Sequence, residues 1–427
     1  MRPAGTAGDG ETTPATRRPI AAIVVLACVV AGCASPTSSR PAGRESRVEP
    51  LVLAEPRAPR DGSLPIAAIF PAAGRYALSG VQSLRGVRLA VDDLNAAGGI
   101  GGRQLALLEY PIGSYFLDAR KAAALAAEAG VLAIVGANSS DLSMAIAEEA
   151  EARGLVQVSN VSTAQDLNYD PATGHNREFV FRVCTSDGVM GGLLAAFARE
   201  KLGARRAAVL YEVGRTYSAR LARSFIDRFR EPGSRVTKEF VYLALETDFR
   251  AQLREVQAFA PDVVFLPGSF TDATLIARQA EQLGLRATLL GADAWSSPLL
   301  FKRGGPSRPA HFLDHCSPPL RFNERYRVEF GQPIQGCRAA LAYDAVEAIA
   351  TGLGSLGRIG AEDLGDRLSQ TRRRLRDAVA AADFVGITGR VRFDGAGDRP
   401  TGMAVMSVEP VPGGGYLTRL EGWAGGR

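Results

Sequence analysis

PIAAIFPAAGRYALSGVQSLRGVRLAVDDLNAAGGIGGRQLALLEY, residues 65–110, decides the fold. Residues 65–70 are an unbroken apolar run, the kind found in a strand covered on both faces. A turn carrying Pro71 and Gly74 follows. Leu84, Val87, Val91 and Leu94 then recur at spacings of 3, 4 and 3, which is one face of a helix. Gly98 and Gly99 stop that helix, since glycine is free to take the left-handed cap. The next strand is 105–110. Strand, helix and strand make a βαβ unit, whose strands run parallel.

The same alternation runs outward along the chain. Helices are expected at 117–129 and 142–153, and strands at 131–135 and 155–158. Beyond a break near 184–188, strands are expected at 207–211, 236–241, 262–266 and 287–290. Helices between them cover 189–201, 218–229, 249–259 and 271–283. After Pro318 come helices around 322–330 and 339–353, then β-like segments at 390–393 and 403–408. Two successive α/β runs point to two doubly wound parallel-sheet lobes.

The N-terminus reads differently. Arg17 and Arg18 precede an uncharged apolar run, 19–32, whose 14 residues fall short of the roughly 20 that span a bilayer. Residues 1–32 therefore read as a signal peptide. The core ends Val30-Ala31-Gly32-Cys33, which resembles a bacterial lipobox. That resemblance implies acylation of the Cys33 thiol, the one strong nucleophile at the site. Residues 33–63 then form the lipidated cysteine and a tether: Pro36, Pro41, Pro50, Pro56 and Pro59 are mixed with Ser, Arg and Gly.

Composition narrows the function. The net charge of +5 becomes +4 when the three Arg and two acidic residues of 1–32 are removed, and it is dispersed. The densest run, Arg372-Arg373-Arg374-Leu375-Arg376, reads as a solvated helical face. No aromatics interleave it, so nucleic acid is not an expected partner. The body holds Cys184, Cys316 and Cys337 in an exported, disulfide-permissive context. Sequence leaves the pairing open; Cys316 with Cys337 is favoured because the two enclose one compact segment.

Catalytic patterns are missing or misplaced. His311, Asp314, His315 and Cys316 cluster without an HExxH context, so no metal is expected. Gly352-Leu353-Gly354-Ser355-Leu356-Gly357 matches GxGxxG but follows a helix, not a strand. No G-x-S-x-G elbow and no Walker lysine motif occur. Neither an enzyme nor a cofactor is expected.

Residues 80–102, GVQSLRGVRLAVDDLNAAGGIGG, resemble the first helix and turn of type I periplasmic binding proteins of the branched-chain amino acid class. Residues 384–394, FVGITGRVRFD, resemble that family's late crossover. The resemblance covers 64–420 and implies two lobes joined by three crossovers. Lobe one would be 64–184 plus 317–386, and lobe two 185–316 plus 387–427. The ligand would lie between them at the strand C-termini.

An amino-acid ligand presents a carboxylate and an ammonium. The carboxylate calls for helix N-terminal amides and hydroxyls. The loops 136–141 and 159–163 follow adjacent strands, and the resemblance implies that Ser139 or Ser140, with Ser162 and Thr163, grips it. The rival reading is simple helix capping. Asp293 aligns with the family's acidic ammonium binder, although the family has the longer Glu. Tyr217 matches an aromatic that covers the ligand, or it is ordinary core. Phe270 stands where the family often has tyrosine. The implied protein is an extracytoplasmic solute-binding lipoprotein, monomeric and anchored to the membrane on its periplasmic or extracellular face. It would deliver a branched-chain or related amino acid to the permease subunits of an ABC importer by lobe closure. A ligand sensor with the same clamp is the alternative.

Overall fold

The computed structural model describes residues 62–230, 236–297 and 299–426. The expected signal peptide, Cys33 and the tether through residue 61 lie outside the described residues.

The chain first builds strand β1 (Leu64–Pro71), helix α1 (Ala77–Ala96), β2 (Leu105–Ile112), α2 (Phe116–Glu128), β3 (Ala133–Gly136), α3 (Ser140–Ala152) and β4 (Val156–Ser159). A small excursion, β5 (Tyr169–Asp170) and β6 (His175–Asn176), precedes β7 (Val180–Arg182). These strands form a parallel sheet in the order β2-β1-β3-β4-β7. The chain then enters the second lobe through α4 (Asp187–Glu200), β8 (Arg206–Glu212), α5 (Thr216–Arg230), β9 (Val236–Tyr242) and α6 (Arg250–Phe259). It continues through β10 (Val263–Phe265), α7 (Phe270–Gln282), β11 (Thr288–Gly291) and β12 (Ala310–Asp314). It returns to the first lobe as α8 (Leu320–Phe330), α9 (Arg338–Ser355), α10 (Ala361–Leu364), α11 (Leu368–Ala380) and the hairpin β13 (Asp383–Gly386) and β14 (Gly389–Arg392). It ends in the second lobe as β15 (Met403–Pro410) and β16 (Tyr416–Ala424). The sheet there runs β16-β15-β12-β11-β10-β8-β9, parallel from β9 to β12 and antiparallel at β15 and β16.

The unbroken apolar reading of β1 has a direct cause. Successive strand residues face opposite sides. Ile66, Ala68 and Phe70 join one core with Val87, Val91 and the α9 residues Ala342, Ala345 and Val346. Ala67 and Ile69 join another with Ala122, Ala126 and Ile146 from α2 and α3. Both faces are covered, so both must be apolar. Helices α1 and α9 touch backbone to backbone at Gly86, where an added Cβ would lie 2.0 Å from the Ala339 carbonyl oxygen.

The chain crosses between lobes three times, and the last crossing follows Phe393, not residue 386. Val391 and Phe393 are buried in the first-lobe core. The hairpin stays on that lobe because the Ile387 and Thr388 amides donate to the buried Asp344 carboxylate at 2.7 and 3.0 Å. Near the first crossing Arg182, fully buried, pairs with Asp398 and donates to the Ala164 carbonyl at 2.8 Å.

Cys316 and Cys337 form a disulfide with a Cα–Cα distance of 5.6 Å, and Cys184 is a free, buried thiol. The basic run on α11 departs from the solvated face expected of it. Arg373 and Arg374 are exposed, but Arg372 is buried and donates to the Val131 carbonyl at 2.7 and 2.9 Å and to Ala127 at 3.1 Å. It ties the end of α2 to the link that leads into β3, and burial pushes its guanidinium pKa down to about 10. Gly352 of the GxGxxG match lies inside α9, against Val379 and Leu375. Among the described residues, no helix is long and apolar enough to cross a membrane.

Candidate functional site

Parallel strands place their C-terminal loops at one edge of each lobe, and here the two edges face one another across a cleft. Several contacts bridge it. Arg75, after β1, pairs with Glu212 at the end of β8 at 3.2 Å. Arg220 on α5 pairs with Asp166 of the first lobe. Arg338, on α9, donates to the backbone carbonyls of Ser296 and Asp293 at 2.9 and 3.2 Å.

The first lobe supplies hydroxyls. Ser139 is the extended residue before α3, and its side chain makes no cap hydrogen bond. Ser140 begins the helix, and its Oγ accepts from the Ala164 amide at 3.4 Å. Ser162 and Thr163 follow β4, both fully buried. They divide in role. The Ser162 hydroxyl shares a 2.7 Å bond with Ser143 and donates to the Ala137 carbonyl at 3.2 Å, which turns it into its own lobe. The Thr163 hydroxyl faces the Asp187 carboxylate and has no other partner, and the Asp187 amide donates to the Thr163 carbonyl at 2.8 Å. Gly136, at φ +144°, lets this wall pass close to β1: a Cβ there would lie 2.3 Å from the Ile69 carbonyl oxygen.

The second lobe supplies acids and aromatics. The Tyr217 hydroxyl donates to Asp293 Oδ1 at 2.8 Å, and both residues are buried. Burial and the Asp293 charge push the Tyr217 phenol well above its ordinary pKa, so it stays a donor. The other Asp293 oxygen faces His315 Nε2 at 3.6 Å, while the His315 Nδ1 accepts from the Thr185 amide at 3.4 Å. Burial acts to raise the Asp293 pKa, but His315, Arg338 and Tyr217 together outweigh it and hold the carboxyl below its ordinary value. Phe270 opens α7 and is half-buried beside the second-lobe core.

Three residues of this cluster, Asp187, His315 and Arg215, were not singled out as ligand-binding by the sequence. Asp187, first in α4, is 1% exposed, and its carboxylate faces only the Thr163 hydroxyl. Burial pushes its carboxyl up to about 7. Its sequence signal, Ser186-Asp187-Gly188 after a strand, is also that of an ordinary helix start. His315 was read only against a metal, and His311 instead meets Glu421 at 3.0 Å. Among the described residues no group of three His, Cys, Asp or Glu side chains could hold a metal ion. Tyr76 and Arg215, from opposite lobes, complete the rim: the Arg215 guanidinium lies 5.7 Å from the Tyr76 ring centroid.

Polar side chains thus converge from both lobes on a cleft, and a family model described as periplasmic binding protein matches residues 63–414. The chain belongs to this family. As a periplasmic binding protein it is a ligand-binding protein and not an enzyme. It is 25% identical over 240 residues to Leu/Ile/Val-binding protein homolog 3 of Brucella melitensis, covering 56% of this chain and 64% of that one, just under two thirds of its length. It is 24% identical over 347 residues to the leucine-, isoleucine-, valine-, threonine- and alanine-binding protein of Pseudomonas aeruginosa, covering 79% and 87%. The structure of a leucine-binding protein from Thermotoga maritima superposes with a TM-score of 0.70 at 28% identity, covering 84% of this chain and 98% of that one. This periplasmic binding protein therefore shares the two-lobed fold of branched-chain amino acid binding proteins.

Proposed function

We propose that the protein captures a small amino acid between its lobes and presents it, by lobe closure, to the permease subunits of an ABC importer. The observation that carries this reading is the polarity of the cleft. The N-terminus of α3 with Ser139 and Ser140 lies on one lobe, and two buried carboxylates, Asp293 and Asp187, lie on the other, with the Thr163 hydroxyl where the two meet. A zwitterion matches both poles. Its carboxylate would take Ser139, Ser140 and the first-turn amides of α3, with Thr163 between that group and Asp187. Its ammonium would take Asp293, held ionised by its neighbours, with Asp187 beside it. Tyr217 and Phe270 would wall the ligand, and Ser162 would brace the loop that carries Thr163. The names of the relatives, which speak of leucine, isoleucine and valine, support an amino acid. Cys33 would carry a lipid that holds the protein to the outer side of the membrane.

A ligand bound only by the folded state raises the melting temperature. A thermal screen of the purified protein against the common amino acids should find one that does so. No shift across amino acids, amides and small carboxylates would overturn the reading. Co-purification of the permease subunits separates an importer from a sensor. Loss of palmitate labelling in Cys33→Ser tests the anchor.

A further inference from the structure

Arg215, in the loop between β8 and α5, is not accounted for by an aliphatic ligand. Its guanidinium is held between two aromatic rings, 5.7 Å from the Tyr76 centroid on one lobe and 5.2 Å from the Tyr217 centroid on the other. Its Nη1 is sealed from solvent and has no acceptor. The carboxylates nearby are already engaged. Glu212 accepts from Arg75 at 3.2 and 3.4 Å. Asp272 accepts from the Ser269 amide and hydroxyl and from Tyr242 at 2.8 to 3.3 Å.

Tyr217 fixes the scale. Its ring carries Arg215, and its hydroxyl carries Asp293. A buried acid at the hydroxyl and an incompletely satisfied guanidinium over the ring are therefore held on one tyrosine side chain. That spacing suits an ammonium and a carboxylate at opposite ends of a short dicarboxylic amino acid. An aliphatic side chain in the same place would leave a buried charged donor without a partner, which sites of this kind reject strongly.

We infer that the ligand carries a second anionic group, as an acidic amino acid does, and that Arg215 is the residue that selects it. This rests on the amino-acid reading above. Calorimetry on the purified protein with L-glutamate, L-leucine and glutarate tests it, using Arg215→Met with Arg215→Gln as a second variant. L-glutamate should bind at least about tenfold tighter than L-leucine, and either variant should lose about tenfold or more for L-glutamate while L-leucine changes little. Equal loss for both amino acids would make Arg215 only an interlobe latch and overturn the inference. Tight L-leucine binding without L-glutamate binding would overturn it while leaving the amino-acid reading intact. Binding of glutarate alone, lost in both variants, would uphold the anion-selecting role of Arg215 and overturn the amino-acid reading.

Discussion

The Tyr217 hydroxyl donates to Asp293 Oδ1 at 2.8 Å, which ties the first turn of α5 to the turn after β11. The two residues follow strands that are not neighbours, because β10 lies between β8 and β11 in the sheet. The bond aims a carboxylate into the cleft and fixes an aromatic wall beside it. Tyr217→Phe keeps the wall and removes the donor. Affinity for the ligand found by thermal screening should fall about tenfold, the worth of a hydrogen bond to a charged group. Titration calorimetry measures it, and an unchanged Kd would remove this pair from the binding site.

Asp293→Asn keeps the shape of the floor and removes its charge. His315 and Arg338, which hold the native carboxyl below its ordinary pKa, would then be left with the carboxyls of Asp314 and, for His315, Asp187. Affinity for an amino acid should drop by about a hundredfold or more, because a buried charged partner is lost. The des-amino analogue of the same ligand should bind parent and variant alike. If the amino acid binds Asp293→Asn as tightly as the parent, the ammonium lies elsewhere.

Asp187 makes binding depend on pH. Its carboxyl titrates at about 7, so below neutrality it is protonated and does not balance an ammonium. Affinity should rise from about pH 6 to about pH 8, and the rise should vanish in Asp187→Asn. Stability moves the opposite way. The folded pKa lies above the unfolded value of about 4, so the unfolded chain releases this proton first. Asp187 therefore costs stability progressively between about pH 4 and pH 7, and the full cost persists above. Asp187→Asn should be the more stable protein at pH 8, by at most about 4 kcal/mol, and should match the parent below pH 4. Melting curves at the two pH values decide it.

Much of this architecture was legible because the physics was local. The alternation along residues 65–158 follows from strands covered on both faces, as the two cores meeting β1 make plain. The loops bearing Ser139, Thr163 and Asp293 could be read as strand C-termini for the same reason. What escaped depended on distant partners. Arg372 sits in a basic run that reads as a solvated face, and only the approach of α2 brings it the carbonyls of Ala127 and Val131. The strand β16 has an exposed, mixed pattern, and its ladder with β15 defines it. Asp187 looks like any helix start until the Thr163 loop of the first lobe meets it, and Arg215 looks like a surface residue until Tyr76 arrives from the other lobe.

The disulfide between Cys316 and Cys337 joins the second crossing to the start of α9, next to the Arg338 contact with Asp293. Closing a loop of 21 residues stabilises a chain by about 3 kcal/mol through its unfolded state. Reduction, or the double change Cys316→Ser with Cys337→Ser, should lower the melting temperature by several degrees. Ligand affinity should also weaken, because Arg338 loses part of its support. A melting temperature that does not respond to reduction would contradict this.

The pair of Arg75 and Glu212 should govern how long the lobes stay shut. Arg75 is partly solvated, whereas the Glu212 side chain is 3% exposed. Removing the arginine leaves a buried acid facing the cleft mouth without its cation, and that cost falls on the closed form alone. Open and closed forms then redistribute by the same free energy. Arg75→Ala should bind ligand severalfold more weakly, almost entirely through faster dissociation, since close charge pairs act on koff. Stopped-flow fluorescence of ligand release measures this. Arg75→Glu combined with Glu212→Arg should restore slow release if the pair acts as a latch across the cleft. If the double exchange releases ligand as fast as Arg75→Ala, then Arg75 acts on the ligand and not on closure.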